Sequence, residues 1–205
     1  MGQSKPHTRI QAKNRAAILE AALEVFSRAG FRGSTLDQIA QAAGLSKPNL
    51  LYYFPSKEAI HTALLEQLLE SWLEPLQALD AAGDPTEEII DYVLRKLEMA
   101  RSMPRESRLF ANEIIQGAPR IMDEIRGPLK ALVDEKAAVI RGWSEAGKIA
   151  RLDPYHLIFS IWATTQHYAD FDAQLRAILE PEGEAHFTDA ADFLKHLYCA
   201  ALKPR

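Results

Sequence analysis

Between Thr35 and Lys57 the chain gathers side chains suited to a phosphate backbone and to the base edges beside it. Lys47 offers a point charge, Asn49 an amide that can pair with a base edge, and Tyr52 and Tyr53 two hydroxyls for phosphate oxygens. Thr35 and Ser46 fall where helices should begin, so the free backbone amides there also favour an anion. Such groups act together only if one short element presents them on one face.

The local pattern supplies that element. Ile18, Ala21, Ala22, Val25, Phe26 and Ala29 recur at the spacing of an amphipathic helix, and Gly30 is expected to end it. Thr35 with Gln38 three residues on forms a capping box before a short helix that turns Leu36, Ile39, Ala40 and Ala43 inward. Gly44 closes that helix and Leu45 fills the turn. Ser46 caps the next helix, where Pro48 is tolerated because first-turn amides lack intrahelical partners. Phe54-Pro55 ends this third helix, and Ser56 starts a long fourth one toward Leu79. Helix, glycine turn and short helix make a helix-turn-helix, whose second helix enters the DNA major groove. Its outward positions become Lys47, Pro48, Asn49, Tyr52 and Tyr53; the alternative for both tyrosines is core packing with a satisfied hydroxyl.

Beyond Gly83-Asp84-Pro85 the pattern stays helical, with helices expected near 86–101, 105–117, 119–125, 128–147, 154–179 and 188–202. Turn signals such as Met103-Pro104, Gly127-Pro128 and Asp153-Pro154 separate them. The fold class is therefore all-α: an N-terminal arm and three-helix head over 1–55, joined by a continuous helix to a bundle over 56–205 of about nine helices.

Charge divides the same way. Residues 1–60 hold 8 Lys and Arg against 4 Asp and Glu, a net of +4, which leaves the remainder at −8 within the overall −4. A basic head on an acidic body directs only the head toward a polyanion. The 205 residues suffice for a sizeable core, and the single Cys199 with a polar, basic N-terminus fits a reducing cytoplasm. Apolar runs such as Leu157 to Ala163 fall well short of the roughly 20 residues a membrane span needs.

Catalytic chemistry finds few residues. Glu58-Ala59-Ile60-His61 has the Glu-x-x-His spacing of a carboxylate-bridged di-metal bundle, but that site needs a second copy and two more glutamates. The helix dipole explains Glu58 better, and a solvated face is expected for His61. No glycine-rich phosphate loop and no nucleophile elbow is present, so neither an enzyme nor a cofactor is expected.

The stretch FSRAGFRGSTLDQIAQAAGLSKPNLLYYFPSKEAI resembles the DNA-binding domain of TetR-family transcriptional regulators, in its G-F-x-G-S/T-T turn and its Y-Y-F-x-S-K-E ending. The resemblance implies a homodimer that binds a palindromic operator as a repressor and releases it when a small molecule enters the larger domain. It also implies DNA contacts at Thr35, Lys47, Asn49, Tyr52, Tyr53 and Lys57.

The segments LLESWLEPL, SRLFANEIIQGAP and GKIARLDPYHLIFSIWATTQHYADF resemble the pyrimidine-utilisation branch of that family, which responds to uracil and thymine. In that branch a tryptophan of the fourth helix and a glutamine of the eighth hold the ligand, and Trp72 and Gln166 match them. The chemistry suits a flat cyclic amide: one side-chain amide pairs with it bidentately while an aromatic face stacks on it. Trp162, Tyr168 and Phe110 are candidate walls, with core packing as the alternative for Trp72, Trp162 and Tyr168. Asn112 and Gln116 depart from the branch pattern and are candidates for deciding which pyrimidine fits. The competing effector is an apolar or drug-like molecule in the same fold.

The fourth helix, running from Ser56 past Trp72, is the expected lever between pocket and head. Dimerisation is expected through the last two helices, at Ile158, Ile161, Trp162, Thr165, Phe193, Leu194, Leu197 and Tyr198.

Overall fold

Helix α1 (Arg9–Gly33) buries Ile18, Ala21, Ala22 and Phe26 of the stripe that its apolar spacing marks, and Leu23 beside them, while Val25 is half-buried and Ala29, next to the Gly30 break, is exposed. Gly30 breaks it as expected: φ 67 and ψ 172 turn the backbone out of the helix, a conformation that costs glycine nothing. The computed structural model describes residues 9–204, so Lys5 of the basic arm lies outside the described residues.

Helices α2 (Leu36–Ala42) and α3 (Lys47–Tyr53) follow, then α4 (Lys57–Gln77), α5 (Pro85–Ser102) and α6 (Pro104–Ile115). The chain continues through α7 (Met122–Glu124), a π turn (Ile125–Leu129), α8 (Lys130–Glu145), α9 (Pro154–Asp170), α10 (Asp172–Leu179) and α11 (Ala185–Leu202). No strand occurs among the described residues.

Two expected boundaries shift. The helix expected over 119–125 shrinks to Met122–Glu124, and Gly127-Pro128 does not break the chain but lies inside the π turn that leads into α8. The single helix expected over 154–179 divides at Phe171, whose φ −114 and ψ 24 leave the helical region.

Two apolar clusters organise the packing. One joins α1 to α4 around Ile18, Phe26, Ile39, Leu50 and Ile60, and takes in Leu109, Ala118 and Ile121 from α6 and the loop after it. The other centres on α5, which packs against α9 and α11 through Val93, Leu97, Ile158, Ile161 and Leu194. The first half of α4 therefore belongs to the core of the head, and its second half to the bundle. Residues 35–53 and Trp72 are thereby carried on one packed framework.

Candidate functional site

Two caps set the helix-turn-helix. Thr35 Oγ1 accepts the Gln38 backbone N–H at 3.2 Å while the Thr35 N–H donates to Gln38 Oε1 at 2.8 Å, the reciprocal pair its sequence requires. Ser46 Oγ accepts the Asn49 backbone N–H at 3.4 Å at the start of α3. Gly44, at φ 68, makes the turn between them, and Leu50 is fully buried against the head. With Leu50 inward, helical geometry leaves Lys47, Pro48, Asn49 and Tyr52 exposed and Tyr53 half-buried.

The first turns of α1 run beside this face. Gln11 Nε2 donates to the Tyr52 hydroxyl oxygen at 3.3 Å, and Asn14 Nδ2 donates to that of Tyr53 at 2.9 Å. The tyrosine rings pack edge to face with centres 5.2 Å apart, and Tyr52 is 71% exposed, so for Tyr52 the core alternative does not apply. As acceptors, both phenol oxygens keep their own O–H to donate to a phosphate. Lys47 Nζ donates to Asp37 Oδ2 at 2.9 Å, an exposed pair worth about 0–1 kcal/mol that a phosphate can displace. Arg9 and Lys13 are exposed on the same stretch of α1.

Lys57 sits differently. Its Nζ donates to the carbonyls of Phe31 and Ser34, both at 2.7 Å, and lies 4.4 Å over the Phe31 ring. It ties the first turn of α4 to the junction of α1 and α2.

A cavity of about 590 Å³ opens between α4, α5, α6, the π turn and α9. Trp72, Phe110, Trp162 and Gln166 line it, so four of the seven side chains expected at the pocket come together. Asn112, Gln116 and Tyr168 do not line it. Asn112 and Gln116 are exposed, because Phe110, Ala111, Ile114 and Ile115 take the cavity-facing positions of α6. Tyr168 packs on Phe187 with ring centres 6.0 Å apart.

Trp72 and Phe110 lie with ring centres 5.3 Å apart, and the Trp72 Nε1–H is buried with no partner among the described residues. Trp162 is fixed by donating from Nε1 to the Tyr92 hydroxyl at 2.6 Å. The Gln166 side chain makes no hydrogen bond among the described residues. Two ionisable residues complete the lining, and sequence reasoning missed both. Lys96 has its Nζ 4.7 Å from the centre of the Trp72 ring, and burial pushes its pKa down to about 8. Asp170 accepts from Ser107 Oγ at 2.6 Å, while burial holds its carboxyl above the usual range. A signal for both was present: Lys96 interrupts the apolar stripe of Ile89, Val93, Leu97 and Ala100, and Asp170 stands four residues from Gln166 on one face of α9.

His61, expected on a solvated face, is instead buried between Phe26 and Phe31, each ring centre 4.9 Å away. Glu58 stays exposed at the start of α4, where first-turn hydrogen bonding lowers its pKa. The two residues therefore occupy different faces of the helix. No cluster of three metal-ligating side chains occurs among the described residues.

The expected dimer surface also changes in detail. Ile158, Ile161, Thr165, Leu194 and Tyr198 belong to the chain's own core, because α9 and α11 turn them onto α5 and onto each other. Phe159, Phe193 and Leu197 are the exposed apolar side chains of these helices, Phe193 at 61%.

The tetR family of bacterial regulatory proteins matches residues 18–64, and the C-terminal region of YcdC-like proteins matches residues 65–205. The chain belongs to the TetR family. It is 48% identical to the HTH-type transcriptional regulator RutR of Escherichia coli K12 over 200 residues, which covers 97% of this chain and 94% of that protein. It is 32% identical to the HTH-type transcriptional repressor NicS of Pseudomonas putida over 66% of this chain and 64% of that protein. Among solved structures, a TetR-like transcriptional regulator from Rhodococcus sp. RHA1 superposes with a TM-score of 0.68 at 22% identity, covering 95% of this chain and 96% of that one. The chain is thus a TetR-family DNA-binding regulator. No described helix is long and apolar enough to cross a membrane.

Proposed function

We propose that this TetR-family regulator is a cytoplasmic repressor of pyrimidine catabolism genes, released from a palindromic operator when uracil, thymine or a related pyrimidine occupies the cavity between α4, α5, α6 and α9. The observation that carries the reading is the convergence there of two unpaired donors, the Trp72 indole N–H and the Gln166 amide, among aromatic walls. The buried Trp72 N–H without a partner costs free energy, and a ring bearing adjacent carbonyl and N–H groups satisfies it while pairing with the half-buried Gln166 amide on the same wall. The 48% identity to RutR over nearly the whole chain supports the same effector class.

The DNA side of the proposal places Thr35, Ser46, Lys47, Pro48, Asn49, Tyr52 and Tyr53 against the operator, with Lys57 bracing the helices that present them. Two heads bind one palindrome if the exposed Phe159, Phe193 and Leu197 of α9 and α11 meet those of a second copy. Ligand drives release only by binding the releasing state more tightly. Helix α4 connects the sites: Lys57 and Trp72 are 15 residues apart, about 22 Å along the axis, so a tilt at Trp72 is felt at the carbonyls that Lys57 holds.

Uracil and thymine titrated into the purified protein should raise its Tm by several degrees at about 100 times Kd. Gln166→Ala should abolish the shift. A shift that survives in Gln166→Ala contradicts the assignment of the pocket. A second reading, an apolar or drug-like effector, is favoured by the largely apolar lining and by a volume that exceeds one pyrimidine ring. A panel of apolar compounds that shift Tm where pyrimidines do not would decide for it.

A further inference from the structure

Lys96 is 4% exposed and stands in the apolar stripe of α5, yet it lines the effector cavity. Its ammonium contacts the face of Trp72 and no carboxylate or carbonyl among the described residues. The other buried lysine of the described chain, Lys136, is satisfied by the Leu79 carbonyl at 3.2 Å and by Glu135 at 3.1 Å. Asp170, the one other ionisable residue on the cavity wall, is engaged by Ser107, and its nearby charges are Arg108 and His167. A lysine here therefore serves something that enters the cavity.

Resting on the pyrimidine reading above, we infer that Lys96 selects acidic pyrimidines, rings that carry a delocalised negative charge over their carbonyl oxygens at neutral pH, over neutral uracil and thymine. Three donors converge on such an oxygen-rich anion: the Lys96 ammonium, the Trp72 N–H and the Gln166 amide. A buried cation with only an aromatic face beside it leaves most of its desolvation cost uncompensated, and a charge-assisted hydrogen bond from an anion offsets it. A neutral ring offers only the dipole of a carbonyl. Lys96 remains mostly protonated at neutral pH, since burial lowers its pKa only to about 8. Covering by Lys96 also takes one face of Trp72, so Trp72 serves the ligand through its N–H as well as its ring.

The test compares uracil, neutral at pH 7, with barbiturate, a ring anion at pH 7, by isothermal titration calorimetry on wild type and Lys96→Met. Methionine keeps the length and removes the charge, and because it relieves a buried unpaired cation the variant should melt at or above the wild-type Tm. Wild type should bind barbiturate at least about tenfold more tightly than uracil. Lys96→Met should bring the two within about threefold, with the loss falling on barbiturate. Equal or weaker binding of barbiturate by wild type overturns the inference and leaves the pyrimidine reading standing. So does a preference for barbiturate that persists in Lys96→Met. Binding of neither compound overturns both.

Discussion

The guanidinium carbon of Arg120 lies 3.9 Å from the centre of the Phe31 ring, so the loop after α6 is stacked directly on the end of α1. Arg120 is itself held by Glu113, whose Oε2 accepts from the Arg120 Nη1 and whose Oε1 accepts the Arg120 backbone N–H, both at 2.8 Å. Glu113 is buried on one face of α6 while Phe110, Ala111 and Ile114 present the other face to the cavity between α4, α5, α6 and α9. One helix thus touches the pocket on one side and, through Arg120, the head on the other.

Arg120→Ala should cost about 3 kcal/mol, because it strands a buried carboxylate and removes the cation from Phe31. For a chain of this size that is a fall in Tm of roughly 6–12 °C. Glu113→Gln with Arg120→Ala should recover part of the loss, since no charge is then left buried. A thermal melt of wild type and the two variants checks the order, and an Arg120→Ala protein as stable as wild type contradicts it.

The neighbouring His61 makes the same seam sensitive to acid. Burial and then the charge of Arg120 push its pKa down to about 4, from an unfolded value near 6.5. Between these values the unfolded chain binds a proton that the folded chain refuses, so stability is complete above pH 6.5, declines as pH falls through this window, and levels off below about 4. His61→Phe removes the titration. The Tm difference between wild type and His61→Phe should therefore shift against wild type as pH falls from 7 to 4.5, and a difference that stays constant over that range argues against a neutral buried imidazole.

Much of the head was legible because its signals are local. Thr35 and Gln38, Ser46, Gly44 and Phe54-Pro55 each dictate a bond or a dihedral within four residues, and the structure shows each of those features. The pocket was legible only in part. Trp72, Phe110, Trp162 and Gln166 meet there, but Lys96 reaches it from α5, and which face of α6 lines it depends on how that helix is rotated against α4 and α9. That rotation is set by contacts distant in sequence, so helical spacing alone does not tell Asn112 and Gln116, which face solvent, from Ala111 and Ile114, which line the cavity. His61 misled for the same reason: its burial comes from Phe26 and Phe31, about 30 residues or more away along the chain. The break at Phe171 carries no strong local mark, whereas Gly127-Pro128 is a strong turn signal that the structure absorbs into a π turn.

On the recognition face, Lys47→Ala should separate binding from folding. Its only side-chain partner among the described residues is the exposed Asp37, so Tm should move by less than about 3 °C. Loss of one phosphate contact should weaken binding to all duplexes and lower the slope of log K against log salt by about 1. Leu50→Ala is the contrasting variant. It empties a fully buried position and should cost about 2–5 kcal/mol, losing DNA binding together with the fold of the head. A Lys47→Ala protein with an unchanged salt slope would remove Lys47 from the interface.

On the proposed reading, occupancy of the α4–α5–α6–α9 cavity by a pyrimidine releases the two heads of the dimer from DNA. The most direct measurement follows the fluorescence anisotropy of a labelled operator duplex, selected on the purified protein, as uracil, thymine and barbiturate are titrated into the complex, with a purine as control. At least one pyrimidine should dissociate the complex with a midpoint that tracks its calorimetric Kd, the purine should release nothing, and the complex of Gln166→Ala should stay on DNA throughout. DNA that remains bound at saturating concentrations of every pyrimidine shown to bind would contradict it.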